Sequence, residues 1–288
     1  MSLAYLGLLG RIIFLGVERI AVKRLGDKAD PFAGAFLFFF IGAVLLFPFV
    51  FLENGNFLQG PWPYLKGALG SGCFYSVAFV CYVRALSGGE VSLVSPLYNF
   101  NVFFLAILAL VFLGEPFGVA KGVGLFLLVY GASFLTREGG GFVQSLRALL
   151  TDIHCRYMVV ASFLIAVGRV ADKYLIAEAP PVAYAFVLYM IIAIYIGVFM
   201  IVSRRVHTIW PLFKKRPVAA TISGAINGYS YLFLLLALKE LDVSVAEPAS
   251  MLGLIVTLIL SRMMLHEKIG KRGIAVGIMI CGSWCLFL

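Results

Sequence analysis

The sequence predicts an all-α integral membrane protein with ten transmembrane helices, arranged as two inverted five-helix repeats. Three observations predict this fold: an apolar composition, apolar runs of membrane-spanning length, and the similarity of the two halves. Of the 288 residues, 62% are hydrophobic and 13% are charged, whereas soluble domains are about 45–50% apolar and about 25% charged. Such a chain would expose large hydrophobic patches in water, which excludes a soluble globular protein, a disordered chain and a disulfide scaffold.

The apolar runs are long and unbroken, which predicts helices. Each approaches the roughly 20 residues that cross a bilayer core as a helix, and none has the strict alternation of a barrel strand. Because backbone amides in lipid must bond internally, such runs are expected to be helical. The ten predicted spans are residues 3–22, 32–52, 64–86, 92–113, 118–136, 157–176, 182–202, 217–238, 244–264 and 270–288.

Prolines and glycines mark how these spans begin and pack. Pro31, Pro181 and Pro217 stand at or just before span starts, where a missing amide proton costs nothing. Gly224 and Gly228 form a small-xxx-small pattern that allows close helix contact, which we expect inside the molecule.

The longest connection divides the chain. Residues 137–156 are predicted to be a connecting loop. It separates a first five-helix repeat, residues 1–136, from a second, residues 157–288.

The two halves resemble each other at a nearly constant spacing. Four residues of the first span recur 150 positions later: Val17, Arg19, Ala21 and Lys23 return as Val167, Arg169, Ala171 and Lys173. Further on, Ser92 and Pro96 return 152 positions later as Ser244 and Pro248. A unit of five spans ends on the opposite side from its start, so the second copy is inverted. Inverted repeats are typical of secondary transporters, whose site lies between the halves.

At these positions the sequence resembles the drug/metabolite transporter superfamily, specifically its EamA-type ten-helix members. Each half has a Lys at the end of its first span and then a Pro. Residues 85–118 and 237–270 both carry Ala-Leu, a short turn, a Ser, a Pro, a long apolar run and a terminal Glu. The second copy departs from the pattern at His266, where the family usually has Gly, and Glu247 replaces the Ser95 of the first copy.

The resemblance implies a basket of ten helices around a central cavity that opens alternately to each side. Members of the family move amino acids, other metabolites or amphipathic drugs, and related branches move sugar phosphates and nucleotide sugars. We therefore expect a small-molecule substrate, contact with membrane lipid, and neither a cofactor nor a metal.

Charged groups inside membrane spans are costly, so each is a functional candidate. Arg11 and Arg169 lie deepest and are predicted to bind an anionic group of the solute, for which the planar guanidinium is suited. Glu18 projects from the same helix face as Arg11, and Asp172 follows Arg169 at a spacing that permits an ion pair. The alternative is structural pairing, Arg169 with Asp172 and Glu18 with Lys23, or basic side chains such as Arg19 and Lys23 that extend to the headgroups.

Tyrosine and asparagine side chains cluster on the third, fourth and eighth spans. Such groups hydrogen-bond across helices or bind solute. The predicted solute contacts among them are Tyr75, Tyr98, Asn101, Asn227 and Tyr231. Tyr98 with Asn101, and Asn227 with Tyr231, are spaced so that each pair can share a helix face.

Acids and prolines form the predicted coupling and gating set. Glu18 or Glu247 is expected to couple protons, which requires burial that favours the neutral acid; the alternative for Glu247 is a helix-start acid favoured by the dipole. Asp172 belongs to the same set. Pro96 and Pro248 occupy equivalent positions near span starts and are candidate hinges.

Two further acids are predicted to be structural. Glu115 and Glu267 stand just before the fifth and tenth spans, where a carboxylate satisfies open amides.

The distribution of basic residues bears on orientation and partners. Sixteen of the 23 lysines and arginines lie in the connections of one side, which the positive-inside rule places in the cytoplasm, with both termini outside. Members of the resembled family are usually drawn with both termini inside. The basic run at 214–216 is expected to contact lipid headgroups, not nucleic acid.

The predicted function is secondary active export of a small polar or amphipathic metabolite, such as an amino acid, by a monomer in a bacterial or archaeal cell membrane. No P-loop or zinc-protease helix pattern occurs, so an enzyme is not expected. The alternatives are a flippase for a lipid or lipid-linked phosphate, a channel, and a membrane-embedded enzyme.

Overall fold

The computed structural model describes residues 3–53, 63–113, 118–135, 142–175, 179–238 and 249–285, and these described parts contain helices and connections but no strand. The helices are α1 (Leu3–Gly26), α2 (Pro31–Glu53), α3 (Leu65–Gly88), α4 (Val91–Val94), α5 (Phe100–Leu113), α6 (Val119–Ser133), α7 (Phe142–Thr151), α8 (Ile153–Leu175), α9 (Pro181–Val202), α10 (Ile209–Lys215), α11 (Pro217–Leu238), α12 (Gly253–Leu265) and α13 (Arg272–Cys285).

A helix overlaps each predicted span, and the membrane character is clear from the longest ones. Within the described residues, six segments are long and apolar enough to cross a membrane: Pro31–Glu53, Leu65–Gly88, Val91–Leu108, Ile153–Asp172, Pro181–Val202 and Pro217–Ala237. Three apolar helices, α6, α12 and α13, are shorter. The all-helical membrane fold is thus confirmed, while the count of ten spans and their inverted layout stay predictions.

The fourth predicted span changes helix type along its length. It begins as α4, continues as a 3-10 helix over Ser95–Asn99, and becomes α-helical again in α5. Pro96 lies in the first turn of the 3-10 segment, where it cannot donate a backbone hydrogen bond. A short 3-10 piece within a helix often marks a hinge, so the candidate hinge proline stands at a real discontinuity.

The connection at 137–156 is where the predicted structure differs most from the observed one. Residues 142–151 form helix α7, and α8 already begins at Ile153. The loop prediction was wrong there because only long apolar runs were taken as helices, whereas α7 is amphipathic. Its apolar residues Phe142, Leu146, Leu149 and Leu150 recur three to four positions apart, which places them on one helix face.

Helices from the two halves of the chain pack against each other throughout. Helix α1 contacts α11 and α12, α3 contacts α8 and α9, α6 contacts α13, and α2 contacts α9 and α11. Glycines set the closest approach between α2 and α11. A Cβ on Gly42 would lie 3.0 Å from the carbonyl oxygen of Gly224, and one on Gly228 would lie 3.2 Å from that of Gly42. The expected internal contact of the Gly224 and Gly228 pattern is confirmed.

Candidate functional site

The intramembrane charged residues lie inside the bundle. Arg11, Glu18, Arg19 and Asp172 are each at most 5% exposed, and the side chain of Arg169 is 11% exposed. Long basic side chains that reached the headgroups would keep their charged ends in water. Burial of Arg11 and Arg19 is inconsistent with that alternative. The buried charges instead form a polar region inside the helical bundle.

Asp172 on α8 is the centre of one polar cluster. The hydroxyl groups of Tyr75 and Tyr184 donate to its two carboxylate oxygens, each at 2.5 Å, and the hydroxyl of Tyr231 donates at 3.1 Å. These tyrosines come from α3, α9 and α11. Three hydroxyl groups thus converge on one buried carboxyl group. Asp172 therefore ties three helices to α8.

Arg169 completes this cluster, which we call the Asp172 cluster: Asp172, Arg169, Tyr75, Tyr184 and Tyr231. The Nη1 atom of Arg169 lies 3.6 Å from Asp172 Oδ2, one helix turn away. The guanidinium carbon lies 5.1 Å from the ring centre of Tyr231 and 6.0 Å from that of Tyr75, within cation–π range. The ion pair expected from the sequence spacing is present.

Glu18 on α1 lies in a different setting. The hydroxyl of Tyr82 donates to its Oε1 at 3.0 Å, and the positive charges of Arg11, Arg19 and Arg169 all act on its carboxylate. The alternative pairing with Lys23 is wrong. The Nζ of Lys23 instead donates to the carbonyl oxygens that end α3, Ser87 at 3.1 Å and Gly89 at 2.7 Å.

The two arginines of α1 each contact a hydroxyl on a neighbouring helix. Arg11 Nη1 donates to Ser230 Oγ on α11 at 2.6 Å. Arg19 Nη1 donates to Thr257 Oγ1 on α12 at 3.1 Å, and its guanidinium carbon lies 5.4 Å from the ring centre of Tyr98. We call Arg11, Glu18, Arg19, Tyr82 and Tyr98 the α1 cluster.

Asn227 and Tyr189 lie beside the Asp172 cluster. The Tyr189 hydroxyl donates to Asn227 Oδ1 at 2.8 Å, and Asn227 Nδ2 donates to the Phe38 carbonyl at 3.4 Å. The ring of Tyr189 stacks on that of Tyr231 with centres 5.5 Å apart. Asn227 and Tyr231 therefore belong to one connected polar region, although they bond to different partners.

Asn101 is a buried polar residue of α5. It is 1% exposed, and within the described ranges its Oδ1 has no hydrogen-bond partner. A shared solute contact of Asn101 with Tyr98 stays a prediction. Glu115, Glu247 and Pro248 lie outside the described residues, and their predicted roles stay predictions as well.

Glu267 caps a helix, as expected, but not the helix that was expected. Its carboxylate accepts hydrogen bonds from the amides of Val91 at 2.8 Å and Ser92 at 2.7 Å. These amides begin α4, so they lack partners within their own helix. The prediction that Glu267 caps the tenth span was wrong, because the loop before α13 folds back onto the start of α4.

Sequence reasoning missed several members of the polar interior. Tyr184 and Tyr189 were not chosen, although each is a polar interruption in the apolar α9. Arg19 was treated as a side chain that could reach the headgroups. A metal site has no support in the described parts of the chain, where no group of three or more His, Cys, Asp or Glu side chains could hold an ion.

Comparison with known families decides what kind of protein has this interior. The EamA-like transporter family model matches residues 2–137 and 154–288. The chain belongs to the EamA-like transporter family. Two successive matches are the signature of the drug/metabolite transporter superfamily. Family members are transporters rather than enzymes, and this EamA-like protein is a multi-pass membrane protein.

Individual relatives add little about substrate. An uncharacterised protein, y4nH of Sinorhizobium fredii (strain NBRC 101917 / NGR234), is 35% identical over 74 residues, which are 25% of this chain and 63% of that protein. A protein of known crystal structure is similar over 98% of this EamA-like chain and 95% of its own, with a TM-score of 0.67 and 18% identity. At that identity the likeness shows the fold alone.

Proposed function

We propose that this EamA-like protein is a secondary active transporter that exports a small polar or amphipathic metabolite, such as an amino acid, across the cell membrane. The observation that supports this proposal most strongly is the pair of buried clusters around Asp172 and on α1. Charge buried in a membrane bundle is expensive and usually marks a substrate or ion pathway. Here five charged side chains, Arg11, Glu18, Arg19, Arg169 and Asp172, lie in the interior of the bundle.

The side chains of the interior favour an amphipathic solute with charged groups. Arginines offer donors to an oxyanion, and Glu18 offers an acceptor, so groups of both signs find partners in one compartment. Tyrosine rings surround these groups, including the stacked pair Tyr189 and Tyr231. Aromatic faces take apolar parts of a solute while their hydroxyls take polar ones.

Alternating access is supported by how the halves meet. Helix α1 packs on α11 and α3 packs on α8, so each half supplies a helix that contacts the other. The hydrogen bond from Tyr75 to Asp172 joins α3 of the first half to α8 of the second. We propose that rocking of the halves breaks and remakes this hydrogen bond, with Asp172 as a gating residue and Pro96 as a hinge.

Glu18 is the described acid that we propose for proton coupling. Among the described residues, Tyr82 donates one hydrogen bond to Glu18, whereas Asp172 receives three hydroxyl donors and an arginine. A proton on Asp172 would compete with those donors, whereas a proton on Glu18 displaces at most one. Glu247 remains the second proposed coupling acid from the sequence.

The test is transport by the purified full chain in proteoliposomes. Uptake of radiolabelled amino acids is measured with and without an imposed pH gradient. We expect gradient-dependent uptake of at least one amino acid, greatly reduced in Arg11→Gln and unchanged in Arg24→Gln, whose side chain is exposed on the same helix. Absence of solute uptake, together with movement of a labelled lipid between leaflets, would overturn the proposal in favour of a flippase.

A further inference from the structure

Arg19 carries an unmet hydrogen-bonding capacity deep inside the bundle. Its side chain is 0% exposed, and Thr257 holds only its Nη1 atom. Within the described ranges, Nε and Nη2 of Arg19 have no hydrogen-bond partner. A buried donor without an acceptor destabilises the fold, and a charged one does so more strongly. Such a group calls for an explanation.

The two open atoms are adjacent and point the same way. In a guanidinium, the N–H of Nε and one N–H of Nη2 are parallel and form a planar fork. This fork matches the two oxygens of a carboxylate, or two oxygens of a phosphate, in a bidentate contact. Tyr98 lies against the guanidinium, with its ring centre 5.4 Å away, and Thr257 fixes the opposite edge. The fork is thus held in one orientation and lacks only its acceptor.

The second half of the chain contains an arginine equivalent to Arg19, and that arginine has an acidic partner. The segment Arg-Ile-Ala-Val-Lys at 19–23 recurs as Arg-Val-Ala-Asp-Lys at 169–173. In the second copy Asp172 lies 3.6 Å from Arg169. In the first copy the equivalent position is Val22, which is buried and carries no charge. The charge of Arg19 acts on the Glu18 carboxylate, but among the described residues no acid makes an ion pair with Arg19 within 4.0 Å. No described carboxylate therefore takes the place beside Arg19 that Asp172 takes beside Arg169.

We propose that Arg19 binds the oxyanion group, carboxylate or phosphate, of the transported solute through its Nε and Nη2 fork. The solute supplies the anion that Asp172 supplies to Arg169 within the protein. Thr257 and Tyr98 are positioning residues that hold the guanidinium. This inference rests on the proposed transport function and adds to it the residue that selects for an oxyanion.

Binding is tested with pairs of probes that differ only in the oxyanion. The full chain in phosphatidylcholine nanodiscs is titrated with L-phenylalanine or phenethylamine, and with glycerol 3-phosphate or glycerol, while thermal unfolding is followed. A ligand that binds the folded form raises the melting temperature. We expect one oxyanion-bearing member to stabilise the protein and its partner to have no effect. The pair that responds distinguishes a carboxylate from a phosphate.

Arg19→Lys keeps the charge but removes the fork. We expect it to weaken binding of the responding probe by about tenfold or more, because an ammonium cannot make the bidentate contact. The matched control, Arg24→Lys, changes an exposed arginine of the same helix and should leave the affinity unchanged. Equal stabilisation by both members of each pair, no shift with either oxyanion, or unchanged affinity in Arg19→Lys would each overturn the assignment.

A second variant supplies Arg19 with a carboxylate from within the protein. Val22→Asp places an acid one turn after Arg19, as Asp172 follows Arg169. We expect it to abolish the oxyanion-dependent shift and to leave the ligand-free protein at least as stable as Val22→Asn. Retention of the shift with wild-type affinity in Val22→Asp contradicts the proposal.

Transport and binding separate the two proposals. If the wild-type protein transports a solute and Arg19→Lys transports it with unchanged KM, the assignment of Arg19 fails and the transport function stands. If the oxyanion shift depends on Arg19 but no solute crosses the membrane, the site stands and the transport function fails.

Discussion

The hydroxyl of Tyr75 on α3 donates a 2.5 Å hydrogen bond to Asp172 on α8. The approach is possible because the residue facing the ring is Gly168, where a Cβ would lie 2.6 Å from the Tyr75 Cζ atom. A glycine next to Arg169 thus lets a tyrosine of the other half reach the acid. In this part of the bundle, the close packing at Gly168 is therefore what brings a hydrogen-bond donor to the buried Asp172.

Removal of this hydrogen bond should destabilise the fold measurably. A hydrogen bond to a charged group contributes about 1.5–3 kcal/mol, so we expect Tyr75→Phe to lower the free energy of unfolding by about that amount. Asp172→Asn should cost more, about 3–5 kcal/mol, because it takes the carboxylate from a buried arginine. Unfolding in detergent mixtures containing sodium dodecyl sulfate measures both losses.

The control for this pair is Tyr5→Phe, which removes a hydroxyl from a side chain that is 51% exposed. It should leave stability within about 0.5 kcal/mol of the wild type. If Tyr75→Phe is as harmless as Tyr5→Phe, the contact with Asp172 is not stabilising.

Much of this cluster could be predicted from the sequence, because part of it is local. The ion pair of Arg169 with Asp172 follows from their spacing on one helix, and the cost of charge in lipid singled out both residues. The choice of Tyr184 and Tyr231 as further donors depends on how α9 and α11 cross α8. That arrangement is a matter of tertiary packing, so spacing along the chain cannot give it.

Three other features differ from the sequence predictions: helix α7, the cap formed by Glu267 and the burial of Arg19. Helix α7 was missed because its hydrophobic residues cover one face only and never form a long run. The cap formed by Glu267 was assigned to the nearest helix in sequence, while the open amides of α4 are nearer in space. Arg19 was underestimated because its position near the end of a predicted span allowed contact with headgroups, and only packing shows that it is buried.

Glu18 should control the response of transport to pH if it carries the proton. We expect Glu18→Gln to retain exchange of solute between the two sides while losing acceleration by a pH gradient, because the neutral amide cannot take up or release a proton. Counterflow and gradient-driven uptake in proteoliposomes measure the two properties separately. Unchanged pH dependence in the double variant Glu18→Gln, Glu247→Gln would exclude both acids.

The contact of α2 with α11 should not tolerate a side chain. Gly42→Ala would bring a Cβ within 3.0 Å of the Gly224 carbonyl oxygen and 3.1 Å of the Tyr189 ring. Both helices are fixed by other contacts, so we expect a loss of about 1–3 kcal/mol from overpacking. Thermal unfolding in detergent reports the change.

A matched glycine tests whether that loss comes from packing. Gly70 lies in the membrane helix α3, and a Cβ there would meet nothing within 4 Å. Since alanine is preferred to glycine in helices, Gly70→Ala should be neutral or stabilising by about 0.5–1 kcal/mol. Equal melting temperatures for the two alanine variants would show that α2 and α11 can separate at little cost.

The cap on α4 should influence the hinge that follows it. Glu267→Gln removes the charge that faces the amides of Val91 and Ser92, and loss of a helix cap costs about 0.5–2 kcal/mol. We expect faster hydrogen exchange of those two amides and a lower melting temperature.

Asp27→Asn is the control, because Asp27 is half exposed and its contact with Arg216 spans 3.7 Å; exposed ion pairs contribute little. Since the 3-10 segment with Pro96 directly follows α4, faster exchange confined to residues 91–94 would show a local cap, whereas exchange that extends through residues 95–99 would show that Glu267 holds the hinge closed.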